Sequence, residues 1–352
     1  MLQKYKKFTV YSLQFTVFFE LWIMNYELKY MWRCIQLARC GAVGAPPNPM
    51  VGAVIVHKGK IIGEGYHRRC GGPHAEVNAI RSVRDESLLN ESTIYVSLEP
   101  CSHFGKTPPC ADLIIEKQIP HVVIGCMDPF AEVNGKGINK LRDAGIEVVV
   151  GVLEKECLEL NKRFITFHQQ HRPFVTLKWA QSEDGFMDAE RKQGEEPVKF
   201  SSRFTQTLVH QMRAMHQAIM VGTKTVLVDN PTLTTRFWEG PNPLRITIDR
   251  NGVLPETVHL KDGKVPTVIY NTGDLDQILA DLYKRGVQSL LVEGGAQLLQ
   301  HFIEAGLWDE ARVEIAPFVL GNGIPAPKMK GENLKTEQSV DNRKILNYRY
   351  EM

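Results

Sequence analysis

Short apolar runs alternate with segments of helical periodicity along most of this sequence, and that alternation restricts the fold more than any other feature. From Val51 to Val150 the order is strand, hairpin turn and strand, and then helices and strands in turn. A second series of the same kind begins at Phe174 and ends near Ala316. Such alternation is typical of α/β proteins. We therefore predict an α/β protein whose first half is a three-layer unit.

The length of 352 residues favours two domains, because a single hydrophobic core rarely grows so large. Residues 168–173 are polar and carry no periodicity, so we place a linker there. The predicted domains cover 24–168 and 172–352.

Residues 1–23 form an extension of doubtful origin. The segment has a basic start and then an aromatic and β-branched run, but Gln14 and Glu20 interrupt the run. A signal peptide would need a smooth apolar stretch and a cleavage site, and a membrane span would need greater length. Two interpretations stay open: a start codon assigned too early, or a weak anchor to a membrane or a partner.

Charge and cysteine content narrow the class of protein. The net charge of +2 gives no basic surface for nucleic acid and no attraction to a membrane. The seven cysteines are an odd number and all lie in the first half, which is unlike a secreted disulfide framework. We expect a cytoplasmic protein in which some of these thiols bind a metal or act in catalysis.

Four residues of the first half form a pattern typical of catalytic zinc. His74 and Glu76 stand at a helix start that follows two glycines and a proline, Cys101 follows a strand, and Cys110 opens the next helix. Thiolates and imidazole are preferred zinc ligands, and a catalytic site keeps a fourth position for water. Glu76 would take a proton from that water and return it to a leaving amine.

Each part of this pattern has an ordinary alternative, since a lone His-x-Glu is usually a solvated helix start and a lone cysteine pair usually fills a core. Both parts occur here in the right order, which favours a zinc nucleobase deaminase. The spacer between the two cysteines has eight residues, whereas that signature has two.

Glycines follow two predicted strands of the second half, at Gly222 and at Gly294-Gly295. Glycine at such a turn lets a backbone approach a phosphate. Neither segment is a complete phosphate-binding motif, and glycines of this kind more often form ordinary tight turns.

Several segments of the first half closely resemble the deaminase half of bifunctional riboflavin-biosynthesis proteins, a family that has the long spacer between its cysteines. The segments are 47–52 (PNPMVG), 63–67 (GEGYH), 73–77 (PHAEV), 98–110 (LEPCSHFGKTPPC) and 128–137 (DPFAEVNGKG). The resemblance covers about residues 28–350 and implies a cytidine-deaminase-like fold. It also implies that Asn48, His67, His103 and Lys106 bind the substrate, a phosphorylated pyrimidine.

The second half resembles the reductase half of the same family. The matching segments are 178–185 (KWAQSEDG), 209–214 (VHQMRA), 221–226 (VGTKTV), 229–236 (DNPTLTTR) and 293–295 (EGG). The resemblance implies a dihydrofolate-reductase-like domain that uses NADPH. The residues it implies at the cofactor are Gly222, Thr223, Thr225, Gly294 and Gly295. Those it implies at the substrate are Lys178, Arg213, Asp229, Arg236 and Glu293.

The second half also departs from the family pattern at several positions. Glu183 and Phe186 stand at variable points of its first motif. Residues 199–201 (KFS) replace a frequent Trp-Ile-Thr, and Gln206 replaces an arginine. These departures concern contacts to the substrate of the reductase rather than the cofactor site.

The sequence therefore predicts a bifunctional enzyme with Zn²⁺ and NADPH as cofactors. The first domain would deaminate a diaminopyrimidinone ribotide, and the second would reduce the ribosyl group of the product to a ribityl chain. One alternative is a deaminase that acts on a nucleic acid such as transfer RNA. Another is a deaminase whose C-terminal half only binds a ligand or assembles subunits. We expect no nucleic-acid or membrane partner, and leave open a homo-oligomer formed through the reductase domain.

Overall fold

A computed structural model of the chain describes residues 27–102, 108–128, 135–191, 195–330 and 332–350. They divide into two compact units, with the boundary between Gln169 and Gln170. Both units combine helices with a sheet, which is mixed in the first unit and mainly parallel in the second, so the prediction of an α/β protein is confirmed.

The first unit contains a five-stranded sheet with helices on both faces. Its elements are α1 (27–39), β1 (Gly52–His57), β2 (Lys60–Tyr66), α2 (Ala75–Ser82), β3 (Ser92–Leu98), α3 (Cys110–Glu116), β4 (His121–Cys126), α4 (Lys136–Asp143), β5 (Glu147–Val150), α5 (Glu154–Leu160) and α6 (Lys162–Gln170). The strand order is β2-β1-β3-β4-β5. β1 pairs antiparallel with β2 and β3, while β3, β4 and β5 are parallel.

Two apolar cores lie on the opposite faces of this sheet. One joins the sheet to α2, α3 and α4, and the other joins it to α1 and α5. This arrangement confirms the three layers that the alternation of elements predicts. Strand β1 (GAVIVH) is buried over its first five residues, as expected of a central strand covered on both faces.

The predicted hairpin between β1 and β2 is present and has a two-residue loop. Lys58 and Gly59 both have positive φ, at 45° and 76°, between the paired residues His57 and Lys60. Positive φ at both loop positions is the geometry that matches the twist of the flanking strands, and glycine adopts it without strain.

The predicted linker at 168–173 is shorter in the structure. Helix α6 continues to Gln170, and only residues 171–173 separate it from the next strand. The apolar side of α6 is formed by Phe164, Ile165 and Phe167, so its polar last turn belongs to the helix.

The second unit is built on an eight-stranded sheet. Its elements are β6 (Phe174–Gln181), β7 (Phe186–Asp188), α7 (Arg203–Ala214), β8 (Ala218–Val221), α8 (Thr223–Asp229), β9 (Leu244–Ile248), β10 (Thr267–Tyr270), α9 (Leu275–Lys284), β11 (Ser289–Val292), α10 (Ala296–Glu304), β12 (Glu310–Ile315), β13 (Ile324–Pro325), β14 (Glu332–Val340) and β15 (Arg343–Tyr350). The order is β10-β9-β8-β11-β6-β12-β15-β14, with β7 and β13 paired separately.

The first six strands of this order are parallel, and the β14–β15 hairpin adds two antiparallel strands at one edge. Helices α9 and α10 pack on one apolar core against the parallel strands. Because the strands are parallel, the glycines after β8 and β11 lie side by side at one edge of the sheet. Within the described ranges, no helix is long and apolar enough to cross a membrane.

Gly65 in β2 permits close packing of α2 on the sheet, so Gly65→Ala should destabilise the first unit. A Cβ at this position would lie 2.5 Å from Ala75 O and 2.7 Å from the carbonyl carbon of Asn78. Overpacking against backbone that cannot move away costs about 1–3 kcal/mol or more. We expect a lower denaturant midpoint in chemical unfolding.

Gly273→Ala is the control, because a Cβ there would meet only the flexible side chain of Arg250, at 3.5 Å or more. An unchanged midpoint for Gly65→Ala, or an equal loss for Gly273→Ala, would contradict the role assigned to this contact.

Candidate active sites

Three predicted zinc ligands come together in the first unit because three different elements end at one place. His74 is the N-cap of α2, Cys101 follows β3 after Pro100, and Cys110 is the first residue of α3. His74 Nδ1 lies 3.5 Å from Cys101 Sγ and 3.3 Å from Cys110 Sγ. Tetrahedral zinc with ordinary bond lengths would separate nitrogen and sulfur by about 3.5 Å. The three side chains therefore fit a zinc ion.

The surroundings shift the pKa values of Cys101, Cys110 and Glu76 in different directions. Hydrogen bonds from Cys110 and His74 lower the pKa of the Cys101 thiol to about 4. The hydrogen bond that it shares with Cys101, together with burial, raises the pKa of Cys110. Burial and the neighbouring Cys101 raise the pKa of Glu76 to about 7, and Glu76 is only 3% exposed. A carboxyl group with such a pKa exchanges protons readily near neutral pH.

Asn48 and His67 lie next to the zinc ligands. His67 Nδ1 is 3.0 Å from Pro73 O, so Nδ1 carries the proton and donates to that carbonyl. Nε2 is then an acceptor for Asn48 Nδ2 at 3.1 Å. The imidazole rings of His67 and His74 meet edge to face with centroids 5.4 Å apart. His103 and Lys106, also predicted to bind substrate, lie outside the described residues.

Glu99 is a buried residue of this site that the sequence reasoning missed. Its carboxylate accepts four backbone N–H groups, from Asp128 (3.3 Å), Gly135 (2.9 Å), Gly137 (2.9 Å) and Ile138 (3.3 Å). Glu99 thereby joins the turn that carries Cys101 to the start of α4. The only signal in the sequence is the glutamate at the end of a strand directly before Pro100 and Cys101.

In the second unit, one cavity of about 960 Å³ opens at the carboxyl ends of the parallel strands. All five predicted cofactor residues and three of the five predicted substrate residues line it: Gly222, Thr223, Thr225, Gly294, Gly295, Lys178, Asp229 and Glu293. The cavity also contains four basic residues that the sequence reasoning missed: Arg191, Lys224, Arg250 and His301.

The two glycine turns are joined by hydrogen bonds. Gly222 N donates to Gly294 O at 3.0 Å, and Gly295 N donates to Thr225 Oγ1 at 2.9 Å. Gly294 has φ of +135°, a conformation that side chains rarely adopt. The start of α10 at Ala296 directs further backbone N–H groups toward the cavity, as an anionic cofactor requires. These residues fit a dinucleotide phosphate.

Arg213 and Arg236 do not line the cavity but lie beside Glu293. Arg213 binds Glu293 with two hydrogen bonds, of 2.8 and 2.6 Å, and its Nη1 donates to Thr234 O at 3.1 Å. The side chain of Arg236 is exposed and donates to the hydroxyl groups of Thr232 and Thr234.

Lys178 and Asp229, which both line the cavity, have charged side chains as neighbours. Burial lowers the pKa of Lys178, although the nearby carboxylates of Glu293 and Glu314 oppose that effect. Asp229 is ion-paired with Arg191, which also binds Asp188 at 2.6 Å. Asp229 therefore meets a ligand together with Arg191 rather than as an isolated carboxylate.

The departures from the family pattern lie close to this site. Phe200 lines the cavity and stacks on Phe318 with ring centroids 5.5 Å apart. Ser201 and Thr205 both donate to the buried carboxylate of Glu314, at 3.0 and 2.7 Å. Glu183 lies in an exposed turn before β7.

A zinc-binding deaminase followed by a reductase is the class of protein that these two sites define. Residues 24–126 match the family model of the cytidine and deoxycytidylate deaminase zinc-binding region, and residues 173–348 match that of the RibD C-terminal domain.

Curated relatives and solved structures agree with these matches. The riboflavin biosynthesis protein RibD of Aquifex aeolicus is 36% identical, over 92% of this chain and 96% of its own length. RibD of Escherichia coli is 36% identical, over 83% of this chain and 88% of its own length. The crystal structure of a diaminohydroxyphosphoribosylaminopyrimidine deaminase/5-amino-6-(5-phosphoribosylamino)uracil reductase from Thermotoga maritima has a TM-score of 0.85 and 36% identity, and the match covers 93% of this chain and 99% of that one.

The chain belongs to the RibD family of riboflavin biosynthesis proteins. It is a bifunctional enzyme, a deaminase and a reductase, with zinc and NADPH as cofactors. The alternative of a C-terminal half without catalytic activity is not favoured.

Because Glu99 holds the turn next to Cys101, Glu99→Gln should weaken zinc binding. The amide nitrogen of glutamine would face backbone N–H groups that need an acceptor. Loss of a group that orients a metal ligand typically lowers metal affinity about 10–100-fold. Competition with a chromogenic chelator measures the effect. Glu116→Gln, at the exposed end of α3, is the control. An unchanged zinc affinity in Glu99→Gln would contradict this role.

Proposed function

We propose that the first unit deaminates a diaminohydroxyphosphoribosylaminopyrimidine and that the second reduces 5-amino-6-(5-phosphoribosylamino)uracil. The observation that carries this proposal is the convergence of His74, Cys101 and Cys110 beside the buried Glu76, in one chain with a glycine-lined cavity. We assign the deaminase to 24–168 and the reductase to 172–352. The boundary between the compact units supports this division.

In the deaminase site, His74, Cys101 and Cys110 hold zinc, and Glu76 is the proton carrier. Zinc bound to these side chains supplies Lewis-acid activation of water. Glu76 accepts a proton from the attacking water and delivers it to the amine that leaves the pyrimidine ring. Its burial supports this role, because few other proton acceptors compete in a site closed to solvent.

Asn48, His67, His103 and Lys106 would bind the substrate of the deaminase. Asn48 offers an amide that matches the polar edge of a pyrimidine. The hydrogen bond to His67 supports this role, since it orients Asn48, whose Oδ1 accepts a weak contact from Cys70 Sγ at 3.8 Å and keeps a second acceptor position. Lys106 would meet the ribotide phosphate as a point charge.

In the reductase site, Gly222, Thr223, Thr225, Gly294 and Gly295 bind NADPH, which supplies the hydride. Lys178, Arg213, Asp229, Arg236 and Glu293 bind the substrate. Two arginines beside one carboxylate leave a net positive charge for the phosphate of the ribotide. The lowered pKa of the half-buried Lys178 indicates that its ammonium is poorly solvated, which strengthens its interaction with a bound polar group.

We further propose a cytoplasmic enzyme that does not bind nucleic acid and that forms a homo-oligomer through the reductase domain. All seven cysteines are free, which supports a reducing compartment. The net charge of +2 supports the absence of a nucleic-acid partner. Exposed Phe204 and Val319 of the second unit support association through that domain, and sedimentation of the intact protein measures it.

Incubation of the purified protein with the diaminopyrimidine ribotide and NADPH, followed by mass spectrometry, tests both halves together. Deamination and reduction change the product mass by different amounts. A product with both changes supports the proposal. A product with deamination alone would remove the reductase assignment, and unchanged substrate would overturn the choice of substrate.

Glu76→Gln should abolish deamination and leave the other functions intact. Glutamine is nearly isosteric but cannot carry the proton, so kcat should fall by about 10²–10⁴-fold. Ammonia release measures deamination, and elemental analysis measures zinc. Reduction of the separately supplied uracil intermediate is the internal control. Deamination that survives at the wild-type rate would show that another group carries the proton.

Thr225→Val should weaken NADPH binding, because it removes the acceptor for Gly295 N while keeping the shape of the side chain. An unsatisfied amide in the turn should raise Kd about tenfold. Fluorescence titration with NADPH measures Kd. Thr207→Val is the matched control, since the Thr207 hydroxyl donates only to Arg203 O on α7. Equal Kd values for Thr225→Val and wild type would contradict the assignment.

A further inference from the structure

His210 is a buried imidazole of the second unit to which the proposed mechanism gives no part. It lies on α7, one turn before Arg213, and is 4% exposed. Its Nδ1 is 2.8 Å from the backbone nitrogen of Arg236, and its ring packs against Phe237 with centroids 4.7 Å apart. A single side chain of α7 thus contacts two successive residues of the segment that carries Arg236.

The direction of this hydrogen bond fixes the protonation state of His210. A backbone N–H can only donate, so Nδ1 must be the unprotonated nitrogen and Nε2 carries the proton. An imidazolium has no acceptor and could not form this contact. Burial and the adjacent guanidinium groups of Arg213 and Arg236 lower the pKa of His210 to about 4. Lys178 acts in the same direction and Glu293 opposes it. The imidazole is therefore neutral, as the hydrogen bond requires.

The segment held by His210 is also fixed at residues before Arg236, where Thr232 O accepts from Arg245 at 3.5 Å and the Thr235 hydroxyl donates to Pro241 O at 3.1 Å. The Leu233 side chain is buried in the core, Thr234 O accepts from Arg213, and Thr235 N donates to Asn242 Oδ1 at 2.8 Å. At Arg236 the bond to His210 is what ties the backbone to α7 among the described residues. The exposed guanidinium of Arg236 donates to the hydroxyl groups of Thr232 and Thr234 in the same segment, so its charge moves with the segment that the bond to His210 holds against α7.

We propose that His210 is a positioning residue of the reductase, whose neutral imidazole holds the backbone of Arg236 against α7 so that Arg236 meets the substrate phosphate beside Arg213. The proposal rests on the assignment of Arg236 to the substrate. Because His210 acts through Arg236 and not on the reacting atoms, its loss should affect KM for the ribotide more than kcat.

The test compares four variants with the wild type: His210→Ala, His210→Asn, Arg236→Ala and the double variant His210→Ala/Arg236→Ala. Steady-state reduction of 5-amino-6-(5-phosphoribosylamino)uracil gives KM and kcat, and fluorescence titration gives Kd for NADPH. His210→Ala should raise KM about tenfold, with kcat and Kd nearly unchanged. His210→Asn should restore most of the loss, because asparagine Oδ1 occupies the place of Nδ1 as an acceptor.

The double variant separates an effect through Arg236 from a general loss of structure. If His210 acts only through Arg236, the double variant has the KM of Arg236→Ala alone. Additive losses, or a His210→Asn variant as impaired as His210→Ala, would overturn the proposal. An unchanged KM in His210→Ala would also overturn it, provided that Arg236→Ala raises KM. An unchanged KM in Arg236→Ala would instead overturn the assignment of Arg236 on which the proposal rests.

His216→Ala is the control for buried histidines of this region. His216 follows α7, is 5% exposed, and contacts Met212 O and Thr176 Oγ1. We expect a lower unfolding midpoint and an unchanged KM. A rise of KM equal to that in His210→Ala would attribute the effect to packing of α7 and overturn the positioning role.

Discussion

The common direction of the strands is the constraint on which both sites depend. In the first unit β2 and β3 run the same way because each pairs antiparallel with β1, and in the second unit the strands pair directly in parallel. Residues that follow parallel strands come to the same edge of a sheet, whatever their separation in sequence. In the first unit this edge receives Glu99, Pro100 and Cys101 after β3. In the second it receives Gly222 after β8 and Glu293 after β11, although 71 residues separate these two positions. The helices that return from these ends contribute their first turns, where His74, Cys110 and Thr223 lie.

The sequence predicted those parts of the structure whose signal is local. The hairpin at Lys58-Gly59, most strands and helices, and the grouping of His74, Cys101 and Cys110 follow from residue type and short spacing. Helices α5, α6 and α8 and the β14–β15 hairpin were missed, and the hairpin strands are polar, so they lack the alternating apolar pattern of a strand. The site residues Glu99 and His210 were missed for a different reason. Their partners are backbone N–H groups, which no residue type in the sequence reveals.

Charge compensation explains why several predicted substrate residues of the reductase are already paired. Arg213 takes both oxygens of Glu293, and Arg191 binds Asp229. Buried charges are costly unless they are paired, so these contacts hold the side chains in place before a ligand arrives. A carboxylate has about four acceptor positions, and each of these acids keeps some for a substrate hydroxyl. These ion pairs are therefore compatible with substrate binding, and they reduce the side-chain entropy that is lost when a substrate binds.

The segment 199–206, which departs from the family pattern, contains two hydroxyl groups that bind the carboxylate of Glu314. This carboxylate is fully buried on β12, and its two oxygens accept from Ser201 and Thr205. A buried carboxylate is tolerated when donors satisfy it, and two hydroxyls at the start of α7 do so here. The same contacts fix the first turn of the helix that later presents His210 and Arg213 to the Arg236 segment. Ser201, which stands in the segment that differs from the family pattern, thus supports the start of α7, and a shift of α7 at Glu314 would displace Arg213 along the same helix.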